Sequence, residues 1–261
     1  MNSNYQLPPI VVAAFYRFVE LPDYEAWQPP LQDIGEGQGL RGTILLAPEG
    51  INATIAGNRQ GIDTLLTYLR SQHHFADLEV RESLTTEMPF QRLKVRLRSQ
   101  IITMGEVNLD PALGTGTYVE PADWNALISE PDMVVLDTRN QYEVEIGTFQ
   151  GAIDPGLDSF GEFPDYAQKQ LKPEQHRRIA MFCTGGIRCE KASAYLLSQG
   201  FEQVYQLKGG ILNYLAQTSP EESLWQGECF VFDDRVSLDQ TLKSGSYRVE
   251  KGRVLSQSDF G

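Results

Sequence analysis

Hydrophobic and polar positions follow two different rhythms along this chain, and the change between them divides it. Residues 10–19 (Ile-Val-Val-Ala-Ala-Phe-Tyr-Arg-Phe-Val) are apolar and β-prone and predict a buried strand. Residues 22–38 predict a helix interrupted by Pro29 and Pro30. Strands are predicted at 42–47 and 51–56, separated by the turn signal Pro48-Glu49-Gly50. Asn58 reads as a helix N-cap, and Ile62, Leu65, Leu66 and Leu69 then recur on one helical face. Over residues 92–98 the alternation is strict: Arg92, Lys94, Arg96 and Arg98 share one face, and Leu93, Val95 and Leu97 the other. That is the pattern of a half-buried strand. The resulting order, βαββαβ, predicts a ferredoxin-like α+β domain over residues 1–110.

Residues 108–117 carry Pro111 and the run Gly114-Thr115-Gly116-Thr117 and read as a connection, with the linker proper at 111–117. From Tyr118 the pattern becomes α/β. Glu120-Pro121 starts a helix with proline in its first turn. Short apolar strands at 133–136 and 179–182 end at Asp137 and Cys183, a helix covers 189–199 with Gly200 closing it, and a strand at 204–206 leads through Gly209-Gly210 into a last helix. Strands alternating with helices predict a mainly parallel sheet, helices on both faces, over residues 118–218. Residues 219–261 form an extension with one apolar stretch, 229–232, and an end expected to be mobile.

Composition narrows the function classes. No run of about 18 apolar residues exists, and the polar residues 1–6 lack the build of a secretory signal, so the expected compartment is the cytoplasm, with no membrane partner. The net charge of -13 opposes non-specific binding to nucleic acid, although a local basic face can act within an acidic protein. The three cysteines, Cys183, Cys189 and Cys229, cannot all pair, and neither Cys-x-x-Cys nor His-x-x-x-His spacing occurs; no metal site is expected. Gly35-x-Gly37-x-Gly39 precedes a strand rather than following one and is no dinucleotide fingerprint, and His73 and His74 complement a helix C-terminus better than they serve as ligands.

The chemistry concentrates in Cys183-Thr184-Gly185-Gly186-Ile187-Arg188. A thiol directly after a buried strand lies where open α/β sheets bind ligands. Gly185 and Gly186 allow successive N–H groups to curl inward as an anion nest. The following helix N-terminus and Arg188 add positive charge, which favours a thiolate or persulfide on Cys183. Cysteine phosphatases space Cys and Arg by five residues; here the spacing is four, which suits one extra sulfur atom better than a phosphate.

These residues, with Leu136-Asp137-Thr138-Arg139-Asn140, Gly151-Ala152-Ile153 and Leu207-Lys208-Gly209-Gly210-Ile211, resemble the rhodanese signatures. One departure is Gly147-Thr148-Phe149, where rhodaneses often have Gly-His-Ile. The strings Phe15-Tyr16-Arg17-Phe18-Val19, Ala47-Pro48-Glu49-Gly50-Ile51-Asn52, Arg139-Asn140-Gln141-Tyr142-Glu143-Val144 and Gly227-Glu228-Cys229-Phe230-Val231-Phe232-Asp233-Asp234-Arg235-Val236 further resemble the bacterial tRNA uridine-34 hydroxylase family. The resemblance implies oxygen-dependent 5-hydroxylation of the wobble uridine, with tRNA as partner, molecular oxygen as co-substrate and Cys183 as the catalytic residue. No flavin, haem or iron site is visible, and no stable protein partner is expected. The alternative from the loop alone is a sulfurtransferase working through a Cys183 persulfide.

Supporting residues read in two ways each. Asp137 and Arg139 fit either loop orientation and substrate binding or a structural ion pair. Cys189 fits either a resolving thiol or a small residue packing inward at a helix start. Lys191 and Lys208 fit either attraction of a tRNA phosphate or plain solvation. Arg92, Lys94, Arg96 and Arg98 fit either an RNA-backbone track or the solvated face of an edge strand.

Overall fold

The computed structural model describes residues 9–105, 109, 111–250 and 253–255. The polar amino terminus, Asn108 and Asp110 of the expected connection, and most of the chain end expected to be mobile lie outside the described residues. The chain divides into two compact units, Met1–Ile101 and Ile102–Gly261.

The first unit runs β1 (Ile10–Phe18), α1 (Gln28–Gly37), β2 (Arg41–Ala47), β3 (Gly50–Gly57), α2 (Arg59–Arg70), β4 (Val80–Thr85) and β5 (Leu93–Leu97). Its sheet has the order β4-β1-β3-β2-β5; the first four strands pair antiparallel in the ferredoxin-like arrangement, and β5 joins β2 in parallel. The fourth strand of the βαββαβ unit is therefore β4, which sequence reading misses, and the alternating segment at 92–98 is an added fifth strand. β4 escaped because it is a polar edge strand whose Leu84 points to solvent. Pro29 and Pro30 do not interrupt a helix but stand in the first turn of α1, after a 3-10 turn at Tyr24–Trp27, where the missing N–H is no loss. Alternate residues Val11, Ala13 and Phe15 of β1 and Ile51, Ala53 and Ile55 of β3 meet Leu31 of α1 and Ile62, Leu65, Leu66 and Leu69 of α2 in one core.

The second unit starts earlier than expected. Residues 111–117 are no free linker: Thr115 Oγ1 hydrogen-bonds Ser193 Oγ (2.7 Å), and the Gly116 N–H donates to the same oxygen (2.8 Å). A side chain at Gly116 would collide with Ser193, so this segment packs as part of the domain. It continues with β6 (Thr117–Val119), α3 (Pro121–Ile128), β7 (Met133–Asp137), α4 (Gln141–Val144), β8 (Gly147–Phe149), α5 (Phe163–Gln170), β9 (Arg178–Phe182), α6 (Ile187–Ser198), β10 (Gln203–Leu207) and α7 (Gly210–Gln217). The main sheet is parallel, ordered β6-β10-β9-β7. Period-two alternation in β9 builds both cores: Ile179 and Met181 pack with α5 and α6, Ala180 and Phe182 with α3 and α7. Strands β11 (Trp225–Gly227), β12 (Cys229–Phe230), β13 (Ser237–Leu238), β14 (Arg248–Glu250) and β15 (Arg253–Leu255) follow. β11 pairs antiparallel with β8 and buries Trp225 against Phe149, so the extension belongs to the domain core. Among the described residues no helix is long and apolar enough to cross a membrane.

The Asn58 side chain accepts a hydrogen bond from the Gly61 N–H at 2.7 Å and caps α2. Asn58→Ala is expected to cost about 1 kcal/mol, read as a lowered midpoint of the first unit's urea transition.

Candidate active site

β7 and β9 are parallel neighbours with Asp137 opposite Phe182, so the segments leaving both strands lie side by side. Cys183 follows β9 directly, and α6 begins four residues later. Gly186, with φ 101°, turns the chain into α6, and its N–H donates to Cys183 Sγ at 3.1 Å. On the other side of the loop stands the start of α7. The Ile211 N–H donates to the Cys183 carbonyl (3.0 Å) and the Leu212 N–H to the Thr184 carbonyl (3.1 Å). Gly210 has φ 67°, and a Cβ there would lie 2.4 Å from the Cys183 carbonyl oxygen. Of the two loop glycines, the fold demands Gly186; the Cβ position of Gly185 faces open space. With the loop carbonyls of Cys183 and Thr184 engaged by α7, the N–H groups at the start of α6 are turned toward the sulfur.

Cys183 is 1% exposed. Burial alone would raise its pKa. The Cys189 thiol, the Arg188 charge and the N–H groups of Cys189 and Arg188 outweigh burial and bring it down to about 6. Cys189 moves the other way: burial and the neighbouring Cys183 sulfur push it well above the ordinary thiol range, so it stays protonated and donates. Thr138 Oγ1 lies 3.6 Å from the Cys189 sulfur and donates to the Phe182 carbonyl (3.0 Å). Cys189 thus packs inward, in the first turn of α6. Cys229 is a third buried thiol, pushed up to about 12 by burial, within the core that holds Trp225.

Arg188 does not present a free charge to the loop. Its Nη1 and Nη2 hold the two carboxylate oxygens of Glu143 at 2.6 and 2.7 Å, both side chains being buried. Burial would raise the Glu143 carboxyl, but Arg188 and the Asn140 N–H (3.1 Å) hold it below the usual carboxylate range. Asp137 and Arg139 form a second buried pair, 0% exposed, with Nε–Oδ1 at 2.9 Å and Nη2–Oδ2 at 2.6 Å. Arg139 also donates to the carbonyls of Glu143 and Gly147 and lies 5.1 Å from the Trp225 ring centre, so its donors tie β7, α4 and β8 together.

Lys191 and Lys208, each read as a phosphate contact or a solvated side chain, are placed differently from one another. Lys191 is 2% exposed, and its Nζ donates to the Ile102 carbonyl at 2.9 Å, so it faces inward. Lys208 is paired with Glu120 at 2.6 Å on the surface. In the first unit, Arg92, Arg96 and Arg98 are exposed along edge strand β5, and Lys94 is half-buried beside them. Among the described residues no group of three histidine, cysteine or acidic side chains could hold a metal ion.

Residues 10–101 match the family model described as UPF0176 acylphosphatase like domain, and residues 120–217 match the rhodanese-like domain. The chain thus joins a UPF0176-type domain to a rhodanese-like domain, each matched over its own span. Among solved structures, the chain is similar to the rhodanese-like domain of an Anabaena protein, at 24% identity over 42% of this chain and 78% of that one, with a TM-score of 0.35. A rhodanese-related protein from Thermoplasma volcanium matches at 24% identity over 40% of this chain and 95% of that one, TM-score 0.32. A protein of unknown function from Rhodopseudomonas palustris, described as a possible tyrosine phosphatase, matches at 23% identity over 40% and 82%, TM-score 0.34.

Sequence reading missed Glu143 as the partner of Arg188. A faint signal exists, since an acidic residue three positions after Asn140 is capping-box spacing. Glu143→Gln leaves Arg188 buried without a counter-charge and is expected to cost about 3–5 kcal/mol, checked by urea denaturation. Alkylation of Cys183 by iodoacetamide follows its thiolate fraction, so the rate falls as pH drops through about 6 and is flat above. Cys189→Ala removes the thiol donor, and the midpoint of that pH profile is expected to move upward; an unmoved midpoint would show that Cys189 does not set the thiolate.

Proposed function

We propose that this protein is a tRNA-modifying oxidoreductase that carries out the oxygen-dependent 5-hydroxylation of uridine 34, with Cys183 as the reacting group. The observation that carries the reading is the joining of a UPF0176-type domain to a rhodanese-like domain whose cysteine is intact and held as a thiolate. The substrate would be tRNA in the cytoplasm and the co-substrate molecular oxygen. The exposed arginines of β5 offer a local basic row on an otherwise acidic chain, and binding along it would weaken with salt.

A second reading, sulfur transfer through a Cys183 persulfide, is favoured by one feature of the loop. Arg188 is engaged with Glu143, which leaves the cradle to backbone N–H groups and one thiol donor. Such a site suits a compact sulfur anion better than a dianionic phosphate, and it disfavours phosphatase chemistry.

Mass spectrometry of tRNA nucleosides separates these readings, in a strain lacking the gene and carrying either the intact protein or Cys183→Ala. Restoration of 5-hydroxyuridine-derived nucleosides by the intact protein alone is the expected result. Unchanged hydroxylated nucleosides with a loss of thiolated ones would reject hydroxylation in favour of sulfur transfer.

A further inference from the structure

Three aromatic side chains stand beside the cysteine loop without a part in the account above. Phe230 of β12 is buried, and it is met by Tyr142 of α4 and by Phe232 of the turn that follows β12. The ring centres of Tyr142 and Phe230 are 5.2 Å apart at 79°, those of Phe230 and Phe232 5.1 Å apart at 81°. Both outer rings therefore rise roughly perpendicular to the buried one. They are also exposed, Phe232 at 59% and Tyr142 at 38%.

Their link to the site is Arg188. Its guanidinium carbon lies 5.9 Å from the Phe232 ring centre, while its charge acts on Cys183 and its partner Glu143 adjoins Tyr142 in sequence. An exposed phenylalanine loses by facing water, yet the turn carrying it is firmly built. Val231 and Val236 close it through an N–H···O bond of 2.9 Å, and the buried Asp233–Arg235 pair braces it at 2.8 and 2.6 Å. Val236 takes φ 64°, a conformation that a β-branched residue adopts only under constraint. The turn thus holds Phe232 outward with a strained residue in place.

We propose that Tyr142 and Phe232, braced by the buried Phe230, form a stacking platform for the unpaired nucleobase brought to Cys183, which assigns the carboxyl-terminal extension a part in substrate positioning. The proposal rests on the tRNA reading above. A base fits this surface on chemical grounds: it is flat and uncharged, stacks on a ring face without needing a basic surround, and so tolerates Asp234 nearby and the acidic excess of the chain.

The test uses the full chain with two anticodon stem-loop RNAs, one bearing uridine at position 34 and one abasic there, and the variants Phe232→Ala and Phe232→Trp. Phe232→Ala is expected to bind the uridine-bearing RNA about tenfold more weakly and the abasic RNA as the intact protein does, with unchanged thermal melting. Phe232→Trp is expected to retain binding, and its added fluorescence to be quenched by the uridine-bearing RNA only. If Phe232→Ala binds the uridine-bearing RNA as tightly as the intact chain, or loses both RNAs equally, the platform is wrong and the tRNA reading stands. If the intact chain binds neither RNA, the tRNA reading falls and takes the platform with it.

Discussion

The grip of α7 on the carbonyls of Cys183 and Thr184 is the constraint on which the rest of the site depends. A loop carries as many N–H groups as carbonyls, and it can turn its donors toward a sulfur only if its acceptors are satisfied elsewhere. Ile211 and Leu212 supply that satisfaction at 3.0 and 3.1 Å. Close approach of the two backbones excludes any Cβ at Gly210, and the turn into α6 requires the left-handed Gly186. The parallel sheet places β9 between β10 and β7, so α7 and the Asp137–Arg139 segment flank the loop by topology.

Charge is arranged in two layers beneath this cradle. Asp137 and Arg139 cancel within the core and fasten α4 and β8 to the strand ends. Glu143 then holds Arg188 fixed in the first turn of α6, close enough to favour the thiolate while its own charge is balanced. A fixed arginine balanced by Glu143 differs from the full added charge that the sequence suggests. It shapes the field on the sulfur without supplying a phosphate clamp.

What the sequence made legible is what local pattern encodes. The strand–cysteine–glycine–helix order around Cys183 follows from an apolar run, two glycines and a helical stretch, all within about twenty residues of one another. Asn58 as a cap and the alternating 92–98 segment were readable for the same reason. Pairings across the chain left no such trace. Arg188 and Glu143 are 45 positions apart, and Lys191 finds the Ile102 carbonyl 89 positions away, so neither burial could be read from periodicity. β4 was hidden by the polarity that an edge strand needs, and the extension's place in the core rests on Trp225 meeting Phe149 through β11 and β8.

The central claim is that Cys183 rests as a thiolate near neutral pH, and ultraviolet titration of thiolate absorbance tests it most directly. The intact protein and Cys183→Ser would be titrated in parallel and their difference taken. The expected result is a difference step centred near pH 6, present in the titration of the intact protein and missing from that of the variant. A difference step in the ordinary thiol range, about 8.5, would contradict it and show that the cradle, however well formed, does not stabilise the anion.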